Sequence, residues 1–172
     1  MFMNEQPKRK PNRLSGYDYA QNGAYHIILC TENHVRILSE IERNPEAEPL
    51  FSKPQIRLSA VGAVVSDAIV QIERHYPCVF VDHFAVMPNH VHLLLSIQNG
   101  KARGTDKSGR LLIAPTVGRI VKQMKSYVTK QCGKSIWQKG FYDHVIRDDA
   151  DYEAVWTYID ENPAKWENDE YF

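Results

Sequence analysis

The stretch from Val79 to Ile97 constrains the fold more than any other part of the chain. Val79–Val86 alternates well enough for a β-strand, Met87-Pro88-Asn89 has turn chemistry, and His90–Ile97 returns as a second strand. The middle of that second strand is nearly continuous in apolar residues, Leu93-Leu94-Leu95, so it must be covered on at least one face. The remaining periodic segments supply the cover. Tyr25–Thr31 is apolar and partly β-branched and predicts another strand. Leu58, Val61, Val64, Val65, Ala68, Ile69 and Ile72 follow helical spacing, which predicts a helix over Ser59–Tyr76 ended by Pro77. A second amphipathic helix is predicted over Thr116–Cys132, with Gly133 where a C-terminal cap falls. Its apolar stripe is Val117, Ile120, Val121, Met124 and Val128. A last helix starts at Asp148 or Asp149, carries Tyr152, Val155, Trp156 and Ile159 on one face, and is expected to stop at Asn162-Pro163. Between Val35 and Phe51, Asn44-Pro45 and Glu48-Pro49 interrupt the pattern, leaving a hairpin or an irregular excursion, and Trp137–Ile146 is partly extended. Strand, helix, strand, strand, helix and helical tail make an α+β chain, most simply an antiparallel sheet with helices on one face.

With 172 residues, 43% hydrophobic and 24% charged, the chain is of a size and composition for one globular domain, taken here as 16–172. Residues 1–15, with Lys8, Arg9, Lys10 and Arg13, are expected to be a disordered basic arm. No apolar run reaches membrane-spanning length, and no apolar segment follows the basic N-terminus as a secretory signal requires. Cys30, Cys78 and Cys132 are odd in number and far apart, which fits reduced thiols and gives no zinc spacing. The expected location is cytoplasmic. A formal net charge of zero argues against a broadly positive surface, although Gln98–Pro115 is a locally basic loop.

Two constellations could carry chemistry. In His90-Val91-His92 the two histidines are two apart on a strand, so both imidazoles project from one face as a ready pair of metal ligands. The spacing alone is common by chance; its position at the start of a buried strand sharpens it, because buried imidazoles need partners. Tyr127 and Gln131 are four apart on a predicted helix and share a face at the edge of its apolar stripe. A tyrosine at such an edge is most simply a ring packed at the core boundary with its hydroxyl in water, while a glutamine there is harder to explain. His26 is expected in the core or on a sheet face.

The segment Val86-Met87-Pro88-Asn89-His90-Val91-His92-Leu93-Leu94-Leu95 resembles the HUH motif of the single-tyrosine insertion-sequence transposases of the TnpA type, and equally that of the REP-associated tyrosine transposases. Tyr25–Thr31 resembles the first strand of that family, and Lys125-Ser126-Tyr127 with Gln131 its tyrosine helix. Trp137-Gln138 to Phe141, His144–Arg147, and Tyr158-Ile159 with Asn162-Pro163 resemble the tail of the REP-associated branch. The resemblance implies a ferredoxin-like fold, His90 and His92 as metal ligands, Gln131 as the third ligand through its amide oxygen, and Tyr127 as the nucleophile. It implies a single-strand DNA endonuclease and strand transferase acting in transposition through a 5′-phosphotyrosine link, on DNA with hairpin ends. The insertion-sequence branch suggests a homodimer, the REP-associated branch a monomer. The alternative is a domesticated descendant that binds DNA hairpins without cutting.

The chemistry suits these residue types. A divalent cation, Mg2+ or Mn2+, can polarise a phosphodiester and orient it for in-line attack. Two imidazoles and an amide oxygen leave positions open for phosphate oxygens. A tyrosine hydroxyl, with an ordinary pKa of about 10, needs such help. The phosphotyrosine bond conserves the energy of the bond broken, so no nucleotide-binding glycine loop is required, and none is present. Candidate DNA contacts are Arg103, Lys107, Arg110, Arg119, Lys122 and Lys125, with Trp137 or Tyr142 as stacking platforms.

Overall fold

The structure is a computed structural model that describes residues 16–42, 54–98 and 115–166. The expected basic arm and the basic loop residues Arg103, Lys107 and Arg110 lie outside the described residues. Among the described residues, six strands and three α-helices follow in the order β1 (Gly23–Cys30), β2 (Ser39–Glu42), β3 (Gln55–Leu58), α1 (Ala60–His75), β4 (Val79–Val86), β5 (His90–Ile97), α2 (Val117–Cys132), β6 (Tyr142–Val145) and α3 (Asp149–Lys165). The four-stranded sheet has the order β4-β5-β1-β6, and every neighbouring pair is antiparallel. The α+β expectation therefore holds.

Local chemistry sets the helix boundaries. Ser59 Oγ accepts from the Gly62 amide at the start of α1, Thr116 Oγ1 from the Arg119 amide at the start of α2, and Asp148 Oδ1 from the Asp151 amide at the start of α3. Gly133 closes α2 in the left-handed region at φ 71°, as its position suggests. The buried stripe of α2 is Val117, Ile120, Val121, Met124 and Val128, all five residues of the predicted face. Of the ambiguous segment Val35–Phe51, the part beyond Glu42 lies outside the described residues; Ser39–Glu42 forms β2, which pairs antiparallel with the later β3 from Ser39↔Leu58 to Glu42↔Gln55. At the end of α3 the expected stop does not occur. The helix runs through Pro163 to Lys165. A proline so near a helix end removes one amide bond to the carbonyl four residues back, a loss the final turn tolerates better than a helix interior.

The sheet has two covered faces. On one, Tyr25, Ile27 and Leu29 of β1 and Val91, Leu93, Leu95 and Ile97 of β5 join Val65, Ile69 and Ile72 of α1 and the α2 stripe in a single core. On the other, Ala85, Met87 and Leu94 pack with Val155 and Ile159 of α3 and with Trp166, which caps it, with Ile41 and Ile56 of the β2–β3 ribbon alongside. Period-two alternation along β5 sorts its residues: the odd-numbered Val91–Ile97 set faces α1 and α2, and His90, His92 and Leu94 face α3. The two helices flanking the central strands thus share one face, and the tail helix covers the other.

The turn that delivers β5 is anchored from several sides. Thr31 Oγ1 donates to Asn89 O, Ser39 Oγ donates to Val86 O, and the Leu38 amide donates to Pro88 O. Leu38 is itself pressed against α1: a Cβ at Gly62 would sit 1.9 Å from Leu38 O, so only glycine admits that approach. These contacts fix where the first histidine of β5 emerges.

Candidate active site

His90 and His92 are both fully buried, and their rings project from the same sheet face with Nε2 atoms 2.9 Å apart. The opposite atoms of each ring are engaged. His90 Nδ1 lies 2.8 Å from Asn89 Oδ1, and His92 Nδ1 lies 3.1 Å from Nε2 of His26 on β1. His26 is paired with Leu94 in the β1–β5 register, two residues along from the Ile28↔His92 pair and on the same face, so the two rings meet on a diagonal. They stack with centroids 5.2 Å apart. Burial holds the His92 pKa well below its ordinary value, with the charges of His90 and His26 adding to the effect. Burial first, and then His144, push His26 down to about 4, against the opposing pull of Asp151. At neutral pH both rings are neutral, the form in which imidazole ligates metals.

The roof of the site comes from α3. The Tyr158 ring stands edge-on to His92 at 5.2 Å and to His26 at 6.0 Å, while Trp166 packs 5.9 Å from His90. Asn162 lies one helical turn after Tyr158 and one before Trp166, on the stripe between these ring contacts. It is buried, and its Oδ1 has no hydrogen-bond partner among the described residues. A buried amide oxygen left unpaired, on the helix stripe whose neighbouring rings pack on His92 and His90, could supply a third donor to a Lewis acid. Among the described residues, no three His, Cys, Asp or Glu side chains group as a metal site. The donors here are two histidines and an amide, which suits a divalent ion with open positions.

Tyr127 and Gln131 are elsewhere. Both are exposed on α2, whose buried stripe packs on the opposite face of the sheet, so within one chain the sheet separates them from the histidines. Tyr127 lines a groove of about 500 Å3 between α1 and α2, with His75, Tyr76, Arg119, Lys122 and Lys130. Arg119 and Lys122 are therefore on that groove, on the far side from the histidines. Lys125 is committed: its Nζ donates to the carbonyls of Gln138 and Gly140, and burial lowers its pKa to about 8. Trp137 is buried in the core, leaving Tyr142, half exposed, as the aromatic with a free face. His144, next to His26 across the β1–β6 pair, places Nε2 2.9 Å from the Asp151 carboxylate. The site residues that sequence reasoning did not select are His26, Tyr158 and Asn162. Tyr158 and Asn162 repeat the tyrosine–amide spacing of Tyr127 and Gln131, four apart on a helix, so the signal was present twice.

Comparison with known proteins gives the family and the fold. The model of the family described as "Transposase IS200 like" matches residues 19–162, which include both histidines of β5 and the whole of α3 up to Asn162. A protein of Haemophilus influenzae described as uncharacterised is 30% identical over 178 residues, covering 95% of this chain and 93% of its own length. A REP-associated tyrosine transposase of Escherichia coli is 31% identical over 99 residues, 57% of this chain and 52% of that protein. The solved structure of a REP-associated tyrosine transposase bound to a REP hairpin superposes with a TM-score of 0.57 at 23% identity, covering 89% of this chain and 74% of the other, and so shares the fold. Among the described residues no helix is long and apolar enough to cross a membrane. With its paired strand histidines under a tyrosine-bearing helix, and a family match over most of its length, the chain belongs to the IS200-like transposase family.

Proposed function

We propose that this protein nicks and rejoins single-stranded DNA at hairpin-bearing ends, with Tyr158 as the nucleophile and a divalent cation held by His90 Nε2, His92 Nε2 and Asn162 Oδ1. The observation that carries the reading is the unpaired, buried Asn162 Oδ1 on the same helix stripe as Tyr158 and Trp166, whose rings pack on His92 and His90, the two imidazoles whose Nε2 atoms converge. When bound, a cation such as Mn2+ or Mg2+ supplies positive charge that polarises the scissile phosphate. The chain's own groups do the rest. The Tyr158 hydroxyl oxygen attacks phosphorus and loses its proton to solvent; a phosphotyrosine bond to the 5′ side forms, the P–O3′ bond breaks, and the 3′ oxygen leaves as a hydroxyl after taking up a proton. Rejoining is the reverse displacement by an incoming 3′ hydroxyl, which frees Tyr158. His26 and Asn89 hold the two ligand rings from behind, and Trp166 shields His90.

Because Tyr158 adjoins His92 within one chain, a monomer contains the whole set, as the REP-associated branch suggests. Arg119 and Lys122, on the α1–α2 groove, would hold a part of the DNA remote from the cut, and Lys125 would not contact it. The test is a denaturing gel with labelled single-stranded hairpin DNA and Mn2+. The expected result is a protein–DNA adduct that survives denaturant and is lost in EDTA. Hairpin binding without adduct, with either Mn2+ or Mg2+, would instead favour a protein that binds hairpins and no longer cuts.

A further inference from the structure

The hydrogen bonds around the two ligand rings assign a role to His26 that the cleavage chemistry does not itself require. The chain of bonds can be followed atom by atom. Asn89 Nδ2 donates to His34 O at 3.3 Å, which makes Asn89 Oδ1 an acceptor. His90 therefore donates from Nδ1 to that oxygen at 2.8 Å, and its Nε2 carries a lone pair. That lone pair faces His92 Nε2 at 2.9 Å. Two arrangements of the remaining protons satisfy the geometry. In one, His26 Nε2–H donates to His92 Nδ1, and His92 Nε2–H donates to His90. In the other, His92 Nδ1–H donates to His26 Nε2, and two bare Nε2 atoms face each other. The second leaves two lone pairs in contact, which is stable only with a cation between or beside them. It is also the only arrangement in which His92 can ligate through Nε2.

We propose that His26 is a positioning residue for the metal, resting on the reading that His90 and His92 hold one: its Nε2 accepts the His92 Nδ1 proton and so fixes His92 with Nε2 bare when the cation binds. Ligating histidines ordinarily donate their second N–H to a carboxylate, a carbonyl or water. Here that place is taken by an imidazole that is itself buried, stacked at 5.2 Å on the ring it serves, and set on the neighbouring strand. An imidazole differs from those acceptors in one respect: it can also donate. The same side chain therefore pairs His92 Nδ1 in both the empty and the loaded protein, by moving its own proton from Nε2 to Nδ1. The groups that face it are Tyr158, whose ring edge is 6.0 Å away, and His144, its cross-strand neighbour, which bonds to Asp151.

Titration calorimetry with Mn2+, without DNA, tests the assignment. His26→Phe keeps a ring and removes the acceptor; the Mn2+ dissociation constant should rise roughly 10- to 100-fold. His26→Gln retains an amide that can accept or donate, and should recover most of the affinity. A ring that served packing alone would give the opposite ranking, with Phe better than Gln. Wild-type affinity in His26→Phe would overturn the proposal while leaving the metal site standing. No Mn2+ binding by the wild type would instead bring down the metal reading and this proposal with it. Should His26→Phe fail to fold, long-range 1H–15N correlation of the imidazoles in the Zn2+-loaded wild type decides: a proton on His92 Nδ1 supports the assignment, and a bare Nδ1 refutes it.

Discussion

Replacing one oxygen distinguishes the two tyrosines. Tyr158→Phe keeps the ring that stands edge-on to His92 at 5.2 Å and to His26 at 6.0 Å, and removes only the hydroxyl from a side chain 39% exposed. The expected stability change is within about 0.5 kcal/mol, which for a domain of this size moves Tm by about 1–2 °C. Truncation to alanine would be a poorer experiment, since the lost aromatic contacts are themselves worth about 0.5–1.5 kcal/mol each. Adduct formation should nevertheless fall by roughly a thousandfold or more, because removing a nucleophile leaves no group placed to attack. Tyr127→Phe should leave adduct formation at the wild-type rate, since Tyr127 opens onto the α1–α2 groove on the other side of the sheet. The assay is a time course of the denaturant-resistant protein–DNA band. An adduct that persists in Tyr158→Phe and vanishes in Tyr127→Phe would refute the reasoning. If, in addition, mixing Tyr127→Phe with His90→Ala restored the band, the tyrosine of one copy would be serving the histidines of another.

Asn162→Leu should separate stability from function: filling the place of an unpaired buried amide with an apolar group raises Tm by calorimetry, while Mn2+ affinity falls, and a lowered Tm with unchanged affinity would contradict the ligand reading. The pH dependence follows from His26, whose pKa drops from 6.5 unfolded to about 4 folded. Between these values the unfolded chain binds the extra proton, so stability is full above pH 6.5 and falls as pH decreases, by about 2 kcal/mol at pH 5. Buried His92 adds a slope of the same sign, so urea melts in EDTA should show the sum, and the slope should become shallower in His26→Gln without vanishing. Lys125→Met should lower stability by about 1–2 kcal/mol through its lost carbonyl bonds yet keep the salt dependence of hairpin binding, whereas Lys122→Met should reduce the log–log salt slope by about 1 with little change in stability; the reverse pattern would return Lys125 to the DNA contacts.

Periodicity carried the elements well because it reports local burial. The α2 stripe, the caps at Ser59, Thr116 and Asp148, and the common face of His90 and His92 all follow from spacing and short-range hydrogen bonding. What spacing cannot report is the side of the sheet on which a helix lands. Tyr127–Gln131 and Tyr158–Asn162 are the same pattern, a tyrosine and an amide one turn apart in the second half of an amphipathic helix. Each amide even falls near the edge of an apolar stripe. The difference is that the α2 stripe is completed by Val91, Leu93 and Leu95, the residues of β5 that point away from the histidines, while Val155 and Ile159 of α3 meet Ala85 and Leu94 on the histidine face. That choice is made by long-range packing: α2 fills the space beside α1, and α3, following β6 at the sheet edge, crosses back over the uncovered side. His26 was hidden for a related reason. Its partner His92 is a diagonal neighbour on another strand, a relation fixed by the register of β1 against β5, which no window of sequence contains. A family motif can therefore identify the strand that carries the paired histidines, while the tyrosine that shares their face is found only when the second face of the sheet acquires its helix.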